Sequence, residues 1–142
     1  MRIKSLEKIL NKKYCYLTKN GCTALYILIK SLNIKNKIIL MPANTCYVVV
    51  LVVLFSGNYP EILDIDRNQC LSYKSLINFK KIRNVGAMIY PYMYGNYGDV
   101  FKIKKFSDKK NFMKLHLAEK YLDNNYAKKV LISGINDFVK GI

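Results

Sequence analysis

Between Asn20 and Asn33, apolar residues recur at Ala24, Leu25, Leu28, Ile29 and Leu32, with Lys30 and Ser31 off that stripe. This is the spacing of one helical face, and Asn20-Gly21 supplies a turn ahead of it. Lys37 to Met41 reads as a compact apolar strand closed by Pro42. Cys46 to Phe55 follows, the longest wholly apolar run, ten residues with five valines. Propensity alone scores it as a buried strand, and its length does not separate strand from helix. Asn44 and Thr45 ahead of it are good helix N-cap types, and Ser56-Gly57-Asn58 closes it with a C-cap signal. Tyr59 to Ile65 then reads as a strand, Ser72 to Lys81 as an amphipathic helix and Val85 to Tyr90 as a buried strand. After a turn at Tyr94-Gly95-Asn96, Asp99 to Lys105 resembles a helix start; Phe112 to Leu117 and Val130 to Ser133 are weaker strands. Residues 1–19 form a short basic helix, Ser5 to Leu10, and an aromatic connection through Tyr14, Cys15 and Tyr16.

Strands alternating with helices at this pace predict βαβ units and a parallel sheet. The expected fold is α/β: three layers, a mostly parallel sheet with helices on both faces. The length, 142 residues, suits one domain, and neither internal repeat nor low-complexity linker interrupts it. In such sheets ligands lie at the carboxyl ends of strands and at helix N-termini. That directs attention to Asn20–Thr23, Pro42–Tyr47, Tyr90–Gly95 and the surroundings of His116.

Charge changes this picture little. The formal net charge is +15, from 24 Lys plus Arg and 9 Asp plus Glu. Lys, Asn, Ile and Tyr, the residues of adenine- and thymine-rich codons, dominate the composition, while only three residues are Arg. A surface selected to grip phosphate uses Arg forks beside Lys point charges, so a solvated lysine-rich surface is expected in place of a nucleic-acid footprint. Half the chain is hydrophobic (51%), too much for a disordered basic tail. An apolar run of ten is half the length of a membrane span, the N-terminus lacks a signal-peptide core, and the expected setting is cytoplasmic, with no membrane partner. Cys15, Cys22, Cys46 and Cys70 contain no Cys-x-x-Cys spacing, and His116 is the only histidine. Neither a metal site nor a disulfide framework is expected, and the thiols should be reduced and part-buried.

Four segments carry a family resemblance. Asn20-Gly21-Cys22-Thr23-Ala24-Leu25 resembles the (Ser/Asn)-Gly-Thr-x-Ala-Leu segment of the DegT/DnrJ/StrS family of pyridoxal-phosphate-dependent sugar aminotransferases, which have the aspartate aminotransferase (fold type I) architecture. Met41-Pro42-Ala43-Asn44-Thr45-Cys46 is similar to its Pro-Ala-x-Thr-(Phe/Trp/Cys) element. Ser56 to Pro60 with Leu63-Asp64-Ile65-Asp66 resembles Ala-Gly-x-x-Pro-Val-Phe-Val-Asp-Ile-Asp, and Pro91 to Asn96 resembles a Val-His-Leu-Tyr-Gly turn, with Asp99 at the usual distance. The resemblance implies that residues 20–142 are part of a pyridoxal-phosphate-binding large domain. It implies that backbone groups of Gly21, Cys22 and Thr23 cradle the cofactor phosphate. Cys22 replaces the usual Thr, losing one hydroxyl donor, and Cys46 takes the place where an aromatic ring often stacks on the pyridine. Asp64 and Asp66 are expected to be structural. Cap signal and family pattern together predict that residues 45–56 are a buried helix.

Two departures follow from the same resemblance. The family's Ile-Glu-Asp-Ala-Ala-Gln segment matches Lys114 to Glu119, placing His116 where a carboxylate holds the cofactor's ring nitrogen protonated; a neutral imidazole offers no fixed negative charge. Asn136-Asp137-Phe138 resembles the Gly-Asp-Phe that precedes the Schiff-base lysine, but the Phe-Ser-Phe run and its lysine do not appear by Ile142, and Lys140 lacks that context. The expectation is therefore an amino-terminal fragment of a sugar-nucleotide aminotransferase with no catalytic residue assigned, not active alone, and with no covalent cofactor attachment. Nucleotide sugar, amino-acid donor and a second copy of the chain are the implied partners. The competing class is a non-enzymatic basic α/β domain binding nucleic acid or another polyanion through its lysines.

Overall fold

The computed structural model describes residues 4–9 and 16–118, so the expectations for Cys15, for Val130–Ser133 and for Asn136–Lys140 lie outside the described residues. The elements run α1 (Lys4–Ile9), α2 (Gly21–Ser31), β1 (Ile38–Pro42), α3 (Tyr47–Phe55), β2 (Tyr59–Leu63), α4 (Tyr73–Ile77), β3 (Val85–Tyr92), α5 (Val100–Lys110) and β4 (Met113–Ala118). The four strands form one sheet in the order β2-β1-β3-β4, and every pairing is parallel.

All five residues of β1 are buried, as a parallel strand covered on both faces requires. Ile39 and Met41 join Leu25, Ile29, Val52, Val53, Ala87 and Ile89 in a core layer under α2 and α3. Ile38 and Leu40 join Leu71, Leu76, Met88, Tyr90 and Ile103 in a second layer under α4 and α5. The three-layer expectation is met.

The valine-rich run is a helix because topology overrides propensity. Pairing Ile38 with Tyr59 in parallel register obliges the chain to return from the end of β1 to its start. A nine-residue helix covers about 14 Å, close to the roughly 16 Å of a five-residue strand. Two details of the sequence reading are corrected. The N-cap is Cys46, without a side-chain cap bond, and not Asn44 or Thr45; Thr45 is committed to a tight turn in which its N–H donates to the Pro42 carbonyl (3.0 Å). The helix is also not buried as a whole. Val52 and Val53 face the sheet, while Tyr47 and Phe55 are 73% and 76% exposed and Leu51 and Leu54 are exposed beside them. One stripe of a helix suffices to cover a sheet, and this helix is apolar all round.

Other boundaries shift by similar logic. Residues 72–81 contain only the short α4, capped by the Ser72 hydroxyl, which accepts from the Ser75 N–H (3.3 Å). β2 stops at Leu63, and Ile65 instead bridges antiparallel to Leu71. β3 runs on to Tyr92 and α5 to Lys110. Among the described residues no helix is long and apolar enough to cross a membrane.

The bare face of α3 has a measurable consequence. A net charge of +15 holds copies apart at low salt, and screening removes that protection as the Debye length shrinks. Sedimentation equilibrium is expected to show association rising between about 0.05 M and about 0.5 M salt, suppressed by Phe55→Lys. A mass independent of both salt and Phe55→Lys would show that this face does not drive association.

Candidate functional site

Parallel pairing brings the carboxyl ends of all four strands to one edge, where residues 43–46, 64–72 and 93–99 form the connections. From β1 the chain crosses one face through α3 to reach β2; from β3 it crosses the opposite face through α5 to reach β4. Neighbouring strands whose connections diverge in this way leave a crevice between their carboxyl ends. Here it lies between β1 and β3.

The amino end of α2 packs on the layer that includes α3, with half-buried Cys22 against it. Asn20 is extended (φ −158°, ψ 171°), and its Oδ1 accepts from the Thr23 N–H (2.8 Å) and Thr23 Oγ1 (3.0 Å). Thr23 is thereby consumed by the cap. The N–H groups of Gly21 and Cys22 have no acceptor among the described residues, and nothing lies within 4 Å of where a Cβ on Gly21 would sit. Two free donors at the positive end of an 11-residue helix can hold an anion.

Cys46 is exposed at the start of α3, its thiol free. Just before it, Asn44 Oδ1 and Thr45 Oγ1 are buried with no hydrogen-bond partner. Asn44 Nδ2 donates to the Gln69 carbonyl (2.8 Å), which ties the loop after β1 to the loop after β2. That second loop is organised by Asp66, whose Oδ1 accepts from the Asn68 and Cys70 N–H groups (2.8 and 3.0 Å). Asn96 Nδ2 donates to the Asn68 carbonyl (2.9 Å), which ties in the loop after β3. Tyr90 Oη donates to the Tyr97 carbonyl (2.7 Å) beneath it. Burial is the main cause raising both the Cys70 thiol and the Tyr90 phenol above their ordinary values, so both are neutral donors here. Asp66 is thus the hub of three loops. Asp64 contributes backbone groups, its N–H donating to Ser75 Oγ (3.2 Å) and its carbonyl accepting from the Ser72 N–H (2.9 Å).

His116 lies in β4 in register with Tyr90, two residues before the strand's end. Gly21, Cys22 and Thr23 therefore stand at the head of α2, Cys46 at the head of α3, and His116 near the carboxyl end of β4, two strands from β1. The sequence reading did not single out the amides of Asn44 and Asn96 as loop ties. Their partners are backbone carbonyls, which leave no trace in residue type. Among the described residues no group of three His, Cys, Asp or Glu side chains could hold a metal ion. The chemistry on offer is anion binding at the head of α2.

A sequence model described as the DegT/DnrJ/EryC1/StrS aminotransferase family matches residues 4–116. No curated protein sequence matches the chain. Among solved structures, NtdA from Bacillus subtilis with bound cofactor PMP is similar at 22% identity and a TM-score of 0.71, over 84% of this chain and 30% of that one. A DegT DnrJ EryC1 StrS aminotransferase from Brucella abortus is similar at 17% identity and 0.70, over 80% and 32%. The E. coli GDP-4-keto-6-deoxy-D-mannose-3-dehydratase with bound hydrated PLP is similar at 20% identity and 0.68, over 79% and 31%. These likenesses establish the fold, and the chain spans about a third of the length of each of the three.

Proposed function

The chain belongs to the DegT/DnrJ/EryC1/StrS aminotransferase family, and from that premise we propose that it supplies the phosphate-anchoring part of a pyridoxal-phosphate site for transamination or dehydration of a nucleotide sugar. In this reading residues 20–142 are part of the cofactor-binding domain, and residues 1–19 are its amino-terminal helix and connection. The observation that carries it is the pair of N–H groups, Gly21 and Cys22, that have no acceptor among the described residues at the head of α2. Asn44 Oδ1 and Thr45 Oγ1, buried and unpaired beside Cys46, are a second sign of a missing polar partner at this edge.

Pyridoxal phosphate, when bound, supplies an electron sink for bond breaking next to an amine-bearing carbon. Gly21 and Cys22 would hold its phosphate, Cys46 would border its ring, and His116 stands where the family resemblance implies a carboxylate. The fit is good at the phosphate end and poor at the ring nitrogen, since imidazole brings no fixed negative charge. The 142-residue chain therefore binds and orients the cofactor, and acts on a nucleotide sugar with an amino-acid donor only when paired with a second copy and the missing ring-end groups.

The test is calorimetric titration with pyridoxamine phosphate, which cannot label the many surface lysines as imines. Gly21→Pro removes one donor while suiting the first helical position, and extended Asn20 tolerates a following proline. Losing one charge-assisted hydrogen bond costs roughly 1.5–3 kcal/mol, so affinity is expected to fall by about 10- to 100-fold. Gly21→Ala, which keeps the N–H, should bind normally. Equal affinity in the wild type and Gly21→Pro, or no uptake by the wild type, would overturn the reading.

A further inference from the structure

Charge is not spread evenly over this fold. Connections that lead into parallel strands gather at the amino edge of the sheet, and those that leave gather at the carboxyl edge. The amino-edge connections are residues 32–37, 56–58, 78–84 and the end of α5 through 112. They carry Lys35, Lys37, Lys80, Lys81, Arg83, Lys109 and Lys110, all exposed, against a single acidic residue, Asp108. The carboxyl edge, counted with the first turns of its helices, carries Asp64, Asp66 and Asp99 against Lys19, Arg67, Lys74 and Lys102, with Asp99 paired to Lys102 (2.9 Å).

Two ordinary causes fall short of this sorting. Codon bias toward lysine acts on composition and cannot choose an edge. Helix C-termini favour basic residues, and α2 to α5 all end at the amino edge. Each contributes about half a negative elementary charge, roughly two in all, whereas the basic excess is about three times that.

We infer that the amino edge of the sheet is a docking surface for an anionic lipid bilayer, held by lysine point charges, with the carboxyl edge turned toward solution. Two observations and one general property of lysine favour a bilayer over a nucleic acid. Only Arg83 among the seven can make the bidentate fork that specific phosphate and base contacts use. Lysine attraction to anionic headgroups requires no register between surface and ligand. Tyr59 at the start of β2 and Ile77 at the end of α4 are exposed at this same edge, and such side chains sit well at headgroup depth. The opposite edge, where acidic and basic side chains nearly balance and Asp99 pairs with Lys102 (2.9 Å), lacks that excess, which fixes the orientation. No membrane-crossing segment is involved, so an apolar-run count, which leads the sequence reading to expect no membrane partner, has no access to this property.

The test is co-sedimentation with vesicles of phosphatidylcholine containing about one-third phosphatidylserine. Binding is expected at low salt, to disappear near 0.5 M salt at a Debye length of about 4 Å, and to be absent with pure phosphatidylcholine. Each lysine near the surface is worth about a fivefold change in partitioning, so Lys80→Gln/Lys81→Gln should weaken binding about 30-fold. Lys104→Gln/Lys105→Gln removes the same charge from exposed positions in the middle of α5 and should weaken it by less than about threefold. Circular dichroism checks that both variants fold. Equal losses from the two pairs would overturn the proposal, as would no dependence on phosphatidylserine. Tighter binding to a single-stranded oligonucleotide than to vesicles, abolished by the Lys80/Lys81 pair, would reassign the edge to nucleic acid and overturn it too.

Discussion

Gly98→Ala is expected to destabilise the fold by about 3 kcal/mol, a strained left-handed backbone of about 1–2 adding to overpacking of about 1–3. Gly98 has φ +48°, and an added Cβ would lie 2.6 Å from Cys70 Cβ and 3.0 Å from both Asp66 Oδ2 and Tyr90 Oη. None of these neighbours can give way freely. Asp66 Oδ1 is committed to two backbone donors, and Tyr90 Oη to the Tyr97 carbonyl. The methyl group would therefore press on the hub that joins the three carboxyl-edge loops. Urea denaturation measures the effect, with Gly21→Ala as control, because that site is open and helical and should change stability by less than about 1 kcal/mol. Similar midpoints for Gly98→Ala and the wild type would mean that the three loops are not locked together as described.

Asn58→Leu should cost about as much or more, about 3–5 kcal/mol, from several buried partners left unmatched at roughly 1–3 each. Asn58 is 3% exposed. Its Oδ1 accepts from the Lys37 N–H (3.1 Å), and its Nδ2 donates to the Ile34 carbonyl (2.9 Å) and to Ser56 Oγ (3.0 Å). The side chain thus joins the entry to β1, the end of α3 and the entry to β2. Gly57, at φ +83°, makes the sharp turn that delivers it there. Asn58→Asp adds a pH test. A buried carboxyl lacking the amide's donor is raised above the roughly 3.9 of a free Asp side chain. A raised native value means that the folded state binds more protons. The variant should therefore be most stable below about 4 and lose stability as pH rises from there through the native value. A deficit independent of pH would mean that the introduced carboxylate reaches solvent.

The order and type of the elements were legible because burial on two sides leaves a plain record. Ile38 to Met41 is continuously apolar, Ala24 to Leu32 keeps helical spacing, and turn residues mark the breaks between them. Cys46–Phe55 was ambiguous for a physical reason. An all-apolar run has no periodicity, and only the parallel register of β1 and β2, a long-range fact, demands a helix there. The same absence of pattern hid which of its residues face outward. At the site, residue types pointed to the head of α2 and to Cys46, since Gly and N-cap residues are chosen for backbone reasons that sequence displays. They could not show that Thr23 would be spent on Asn20, or that Asn44 and Asn96 would reach the carbonyls of Gln69 and Asn68. Such partners are set by loop geometry.

The strand order also dictates a sequence of events in time. β1 and β2 meet across about 20 residues, whereas β1 and β3 meet across nearly 50, and the entropy of closing a loop grows with its length. The unit β1–α3–β2, clasped by Asn58, is therefore the part that assembles first, leaving one side of β1 bare until β3 arrives. On a ribosome delivering the chain from its amino terminus, that bare side is present while residues 64–84 are still being made. It is an unpaired, fully apolar edge at the moment when the chain is least able to cover it. The interval between the emergence of Leu63 and of Tyr92 is then the period in which a chaperone, or a neighbouring nascent copy, has most to bind.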